Sequence, residues 1–414
     1  MKRAAAWARA LDRSRVLHIC IAVLLVAGAA GVLTYREVTE TTRTSAGKPG
    51  SSAGSTTTAP GKRGGSRGKG SGKGKGGTAT SQPPTASGTP STLAPLAGST
   101  VALLPPFPRT LLFSYVAGPD ATPDKLPAAQ YKDPRIAGIS WKFRWSTLEP
   151  SPGTFDFTLV DQALAATQAA GKAAMIRVIA GVNSPSWVYD AGAQSIAFTA
   201  SDLGNASYVT GPEMMPLPWD PVYLDQWTRF VTELGRRYDH NPTIFSIQMS
   251  GGGRIGEMAL PQSAPWTDKG FTNDKLIGAY DRIISTYMSA FPNTPTNLDI
   301  DEPLGPNSNV MHPVVDMILS RYPGRIFLQQ NGLKSTYANG MNDFRTTLRA
   351  ANSITRVGYQ MGGRTKTGDG SGQGASNLSA SLRVAKDDGS RYVEVYSNDI
   401  ADASNGSALA VVAT

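Results

Sequence analysis

Residues 219–258 read WDPVYLDQWTRFVTELGRRYDHNPTIFSIQMSGGGRIGEM. Over 221–239 the apolar residues Leu224, Trp227, Phe230, Val231 and Leu234 recur at three- and four-residue spacing, which predicts a helix with one buried face. His240, Asn241 and Pro242 end it. The run 244–249 that follows is short and apolar, the length of a strand buried on both faces in a parallel sheet. A glycine-rich turn carrying Arg254 and Glu257 comes next. Helix, turn, buried strand and polar turn make one unit of an α/β fold. In an α/β barrel, chemistry sits on the turns past the C-terminal strand ends, so Glu257 is the first candidate for a catalytic residue.

The same texture runs through 109–414. Apolar runs at 111–116, 137–143, 174–179, 244–249, 296–300, 325–329, 356–361 and 391–396 predict eight strands. Helical patterns lie between most of them, for example at 159–170, 274–290, 314–322 and 378–387. Eight strands alternating with helices predict a single (β/α)8 TIM barrel, with room for only a short closing helix. A doubly wound sheet is the alternative. It calls for a glycine fingerprint after the first strand, and residues 114–120 do not supply one.

Charge divides the chain. Residues 1–40 hold six basic and three acidic residues, and 41–108 hold eight basic and none acidic. Of the formal net charge of +9, residues 109–414 therefore account for −2, and nothing marks the barrel as a nucleic-acid binder. Cys20 stands alone, which excludes an intramolecular disulfide or a cysteine metal cluster. His18, His240 and His312 do not sit at strand ends, so neither a histidine metal site nor a Ser-His-Asp triad is expected. No metal or redox cofactor is implied.

Lys2, Arg3, Arg9, Arg13 and Arg15 precede an apolar run at 16–35, about the ~20 residues a membrane-spanning helix needs. The basic side stays in the cytoplasm. Residues 1–15 thus read as a cytoplasmic tail and 16–35 as a single-pass signal anchor that puts the barrel outside. The alternative is a cleaved signal at Ala27, Gly28 and Ala29, which would release a secreted protein. Residues 36–108 are rich in Gly, Ser, Thr and Lys without helical or strand period, as a disordered linker is. The cluster at 62–75 could touch anionic lipid or acidic wall polymers, or serve only as a solvated spacer. Its GKGSGKGKGG lacks the GK[ST] ending of a phosphate-binding loop.

Residues 141–164 read WKFRWSTLEPSPGTFDFTLVDQAL, and 169–187 read AAGKAAMIRVIAGVNSPSW. A Trp followed by LEP, an aromatic-Asp-aromatic triplet, the third strand with its Pro185-Ser186-Trp187 loop and the WDP helix resemble barrel glycoside hydrolases. The clan is the one that includes families 42 and 5, with beta-galactosidase-like members, and the resemblance covers about 109–260. It implies an acid/base glutamate after strand four, usually preceded by Asn, and a nucleophilic glutamate ending strand seven. Here Gly256 precedes Glu257, and strand seven, RVGYQMGG, offers Gln360 and no carboxylate. Glu394 in strand eight and Glu302 after strand five are the substitutes for the second role.

Paired carboxylates fit glycoside hydrolysis because one group must protonate the leaving oxygen while another stabilises or attacks the anomeric carbon. In RYVEVYSND, Tyr392, Glu394 and Tyr396 share one face and Val393 and Val395 the other. The valines suit the helix-packed outside, so Glu394 is expected inside the barrel, where Arg177 of strand three could pair with it. Asp301 and Glu302 can also be read as turn residues before Pro303, and Glu149 as a structural carboxylate. Six of the seven tryptophans lie between 141 and 266. Of these, Trp145, Trp187, Trp219 and Trp266 suit a carbohydrate cleft, whereas Trp227 is expected to pack its helix. The long loop at 190–218 is expected to cover a site. The expected function is a membrane-anchored extracytoplasmic glycoside hydrolase acting on a cell-surface or wall glycan, with Glu257 and Glu394 catalytic and Arg177 and Gln360 binding substrate. A non-catalytic carbohydrate-binding barrel and a surface adhesion protein are the competing readings.

Overall fold

The computed structural model describes residues 109–199, 214–339, 342–365 and 378–413. The anchor and linker expected at 1–108, and part of the 190–218 loop, lie outside them. Among the described residues no helix is long and apolar enough to cross a membrane.

Eight parallel strands close into a barrel: β1 Leu111–Tyr115, β2 Ile136–Arg144, β3 Ala173–Ile179, β4 Ile244–Gln248, β5 Thr296–Asp299, β6 Ile326–Leu333, β7 Val357–Met361 and β8 Tyr392–Tyr396. Each pairs with its neighbours in sequence, and β8 pairs with β1 to close the ring. A helix follows each strand: α1 Ala128–Lys132, α2 Thr158–Ala169, α3 Pro221–Tyr238, α4 Asn273–Ala290, α5 Met311–Arg321, α6 Asp343–Ala351, α7 Leu378–Asp387 and α8 Gly406–Ala413. The (β/α)8 expectation holds strand by strand, including a short last helix. Between β3 and α3, Ser195–Ala197 and Met214–Pro216 form a two-stranded antiparallel sheet.

Three of the helices, α3, α4 and α6, begin at a capping side chain, Asp220, Thr272 and Asn342. Pro221 opens α3 with its fixed φ, and the Asp220 side chain accepts from Tyr223 N at 2.9 Å. Leu224, Trp227, Phe230, Val231 and Leu234 are buried, as the spacing predicts.

Strand alternation divides the core in two. Outward residues such as Ile139, Trp141, Val178, Ile247, Val393 and Val395 join the large cluster that also contains the buried helix faces. Inside the barrel, Phe113, Met175, Phe327 and Tyr392 form a separate apolar floor, with Phe245 packed against it. Further along the same inward rows the residues become polar: Arg177, Gln248, Gln329, Gln360 and Glu394 are all buried. Buried polar groups are costly unless bonded to one another or used, so this change of chemistry marks where a site can be.

Candidate active site

Glu257 reaches the site through its glycine run. Past β4 the chain turns outward, where Trp227 Nε1 donates to Ser250 O at 3.0 Å and Tyr223 Oη to Gly251 O at 2.8 Å. It then doubles back so tightly that a Cβ on Gly253 would lie 1.7 Å from Glu257 O. Only glycine fits there. The return brings Glu257 beside Asp299, where the two form an isolated parallel bridge at the end of β5. A glutamate well past its strand is thereby restored to the rim of the sheet. Arg254 Nε donates to its Oε1 at 3.1 Å, and its side chain keeps 15% exposure.

β5 adds two more carboxylates. Asn297 faces inward, bonded to Ser246 at 2.9 Å and Gln329 at 3.0 Å, so Asp299 two residues on shares its face. Asp299 is buried, and its Oδ1 has no hydrogen-bond partner. Burial first, then the charges of Glu257 and Asp301, hold its carboxyl well above the usual range. Asp301 is half-buried; burial, then Glu257, push it up to about 6, against the pull of its bond from Glu302 N at 2.8 Å.

Below this rim lies a charged centre. Arg177 donates through Nε to Gln248, and through Nη2 to Gln360 Oε1 at 3.1 Å and Glu394 Oε2 at 3.4 Å. Gln329 Nε2 donates to the same Glu394 oxygen at 2.7 Å. Lys142 Nζ donates to Tyr115 Oη at 2.8 Å. Burial, then the Arg177 charge, push Lys142 down to about 7, while Glu257 and Glu394 pull the other way. Burial is also the main reason that Tyr115 is pushed up to about 12. Both glutamates thus act on one group of side chains. Gln248 Nε2 and Glu394 Oε1 are buried without a partner, like Asp299 Oδ1. Such atoms are where water or substrate hydroxyls bind.

The structure brings Glu257, Glu394, Arg177 and Gln360 together. It also corrects several expectations. Glu394 faces inward but is fully enclosed, not on the open mouth. Trp145 is fully buried and turned outward against Trp187, Trp227 and Phe230, so neither of its faces can meet a sugar. Its Nε1 is held by Glu149, whose role is structural, as expected. Trp187 is buried and donates to Glu149 O at 3.0 Å, and Trp266 is buried and donates to Pro261 O at 2.7 Å. Trp219 is half-buried against Trp266 and Phe271. Glu302 accepts from Val310 N at 2.7 Å and Met311 N at 3.3 Å, capping α5 rather than joining the cluster.

Lys142, Tyr115 and Asp299 are site residues that the sequence motifs do not single out, and Asp301 belongs to the site rather than only to the turn before Pro303. Alternation carried the signal. Ser140, Lys142 and Arg144 alternate with Ile139, Trp141 and Phe143, and Asp299 and Asp301 with Leu298 and Ile300.

Residues 128–253 match the profile of glycoside hydrolase family 42, described as beta-galactosidase. The match runs from α1 through β4 and stops four residues before Glu257. Over that segment the chain is therefore similar to beta-galactosidase-like (β/α)8 glycoside hydrolases. Among solved structures, endo-glycoceramidase II from Rhodococcus sp., as a lactosyl-enzyme intermediate, is 14% identical with a TM-score of 0.46, covering 70% of this chain and 73% of that one. The catalytic domain of beta-amylase from Paenibacillus polymyxa is 11% identical with a TM-score of 0.49, covering 70% and 93%. The beta-galactosidase from the psychrophilic Marinomonas ef1 is 12% identical with a TM-score of 0.44, covering 69% and 54%. No curated protein sequence matches the chain.

Proposed function

We propose that this chain hydrolyses O-glycosidic bonds of a cell-surface or wall glycan, with Glu257 and Asp301 as the carboxylate pair. The observation that carries the reading is their convergence beside Asp299 at the rim of a barrel whose inner half is polar. Asp301, pushed up to about 6, holds a proton up to about that pH, well above an ordinary carboxylate, and can give it to the leaving oxygen. The C–O bond breaks as that proton arrives. Glu257, ion-paired with Arg254, offers its carboxylate to the positive anomeric carbon or to the attacking water. Asp299 Oδ1, unpartnered beside Glu257 at the rim, is the acceptor left for a sugar hydroxyl.

A second reading makes Glu394 the partner of Glu257. Its favouring observation is the unpartnered Oε1 beside Arg177. It requires the enclosed floor to open to substrate. Location is part of the proposal: the basic residues before 16–35 support an anchored barrel outside the cytoplasm. A carbohydrate-binding barrel without turnover is the competing class, favoured by Gln360 standing on β7 where the clan has a glutamate.

The test is turnover by the full chain of chromogenic glycosides and wall polysaccharides, with Glu257→Gln, Asp301→Asn and Glu394→Gln. Loss in the first two with activity kept in the third supports the Glu257–Asp301 pair. Loss in Glu257→Gln and Glu394→Gln alone selects the second reading. Sugar binding without turnover by the unaltered chain refutes hydrolysis.

A further inference from the structure

Breaking a glycosidic bond takes two carboxylates, and the rim holds three. Glu257 and Asp301 have their roles in cleavage. Asp299 is the third. It ends β5, bridges to Glu257 and stands two residues before Asp301. It is 2% exposed, and its Oδ1 has no hydrogen-bond partner. Burial, then the charges of Glu257 and Asp301, oppose its anion, and they outweigh the pull of Arg177 and of the Asn331 backbone.

A sugar hydroxyl would give Oδ1 one proton and leave the crowding of charge as it is. An ammonium brings three N–H donors and a full positive charge. Among three carboxylates it turns mutual repulsion into attraction, and it is paired in the low-dielectric place where an unpaired charge is most costly. Arg254 already answers Glu257, through Nε at 3.1 Å, which leaves Asp299 Oδ1 as the acceptor for an incoming cation. An acetylated amine keeps one N–H and no charge, so it lacks what the cluster calls for. A bound divalent ion is the other way to join carboxylates. Among the described residues, no group of three or more His, Cys, Asp or Glu side chains is placed to hold one.

We propose that the sugar bound at this rim carries a free amine, held as an ammonium against Asp299 Oδ1 next to Glu257 and Asp301. Asp299 is then a specificity residue, and the substrate class narrows to glycans with unacetylated amino sugars. The inference rests on the rim being a glycan site.

The test titrates the full chain by calorimetry with the methyl glycosides of glucosamine and galactosamine, beside those of the N-acetylated sugars and of glucose and galactose. At least one amine should bind at least about tenfold tighter than its acetylated and hydroxyl counterparts, the worth of one charged hydrogen bond. In Asp299→Asn, which keeps the shape and loses the charge, that preference should disappear. If the variant fails to fold, the comparison within the unaltered chain still decides. Equal or weaker binding of both amines, a preference that survives Asp299→Asn, or no saturable binding of any of the six overturns the proposal. Turnover of neutral chromogenic glycosides without an amine preference leaves hydrolysis standing and removes this inference. An amine preference in binding, lost in Asp299→Asn, with no glycoside turned over, keeps this inference and removes hydrolysis.

Discussion

Arg177→Met tests the charged centre of the barrel. Arg177 is 4% exposed and donates to Gln248, Gln360 and Glu394. Glu394 is fully buried, and without Arg177 its carboxylate keeps the bond from Gln329 Nε2 at 2.7 Å. Removing one partner of a buried ion pair costs about 3–5 kcal/mol, because the other charge stays buried. The 3.4 Å contact is long for a charge-assisted bond, which puts the expected loss near the lower end, about 3 kcal/mol. At roughly 2–4 °C per kcal/mol, the thermal midpoint should fall by about 6–12 °C. Adding Glu394→Gln removes the stranded charge, so the double variant should be more stable than Arg177→Met alone. Urea and thermal unfolding near neutral pH read both. A loss below about 1 kcal/mol, or a double variant no more stable than the single one, would refute the idea that Glu394 is held as a buried anion by Arg177.

Other expectations follow from the rim. The parent's kcat/KM should fall as pH rises through about 6, because the proton to be donated is lost there, and the residual activity of Asp301→Asn should lack that fall. The same group titrates in folding. Its folded pKa of about 6 exceeds the unfolded value of about 3.9, so its stabilisation is complete below the latter and lost as pH rises through the former. The thermal midpoint of Asp301→Asn should therefore vary less than that of the parent between about pH 5 and 7. Gly181→Ala should lower kcat more than it lowers stability: Gly181 has φ 60°, and a Cβ there would lie 2.2 Å from Arg254 O in the loop that carries Glu257. Unchanged kinetics would show that loop to be uncoupled from chemistry. Glu302→Ala should cost about 1 kcal/mol as a lost helix cap and leave kcat alone; a large kcat loss would return Glu302 to the active site.

Strand positions were legible because each is a short apolar run between polar turns, and period-two alternation correctly turned Glu394 and Arg177 inward. The depth of Glu394 was not legible, since alternation gives a side chain's face and not its height in the barrel. The tryptophans misled for a related reason. Trp145 immediately follows β2, but its ring turns out beneath α3, where Trp227 and Phe230 wait. Closeness to a strand end does not say which side of the wall a ring takes. The partnership of Glu257 with Asp299 was hidden by the glycine run, because only the folded loop shows that the chain doubles back at Gly253.

The most direct measurement is the initial rate of glycoside hydrolysis by the full chain beside Glu257→Gln, with sugar binding followed in parallel. A fall in kcat of roughly 10²–10⁴ with binding retained is the expected result, since the amide keeps the shape of Glu257 without its charge or proton. A loss of less than about tenfold would contradict a catalytic Glu257.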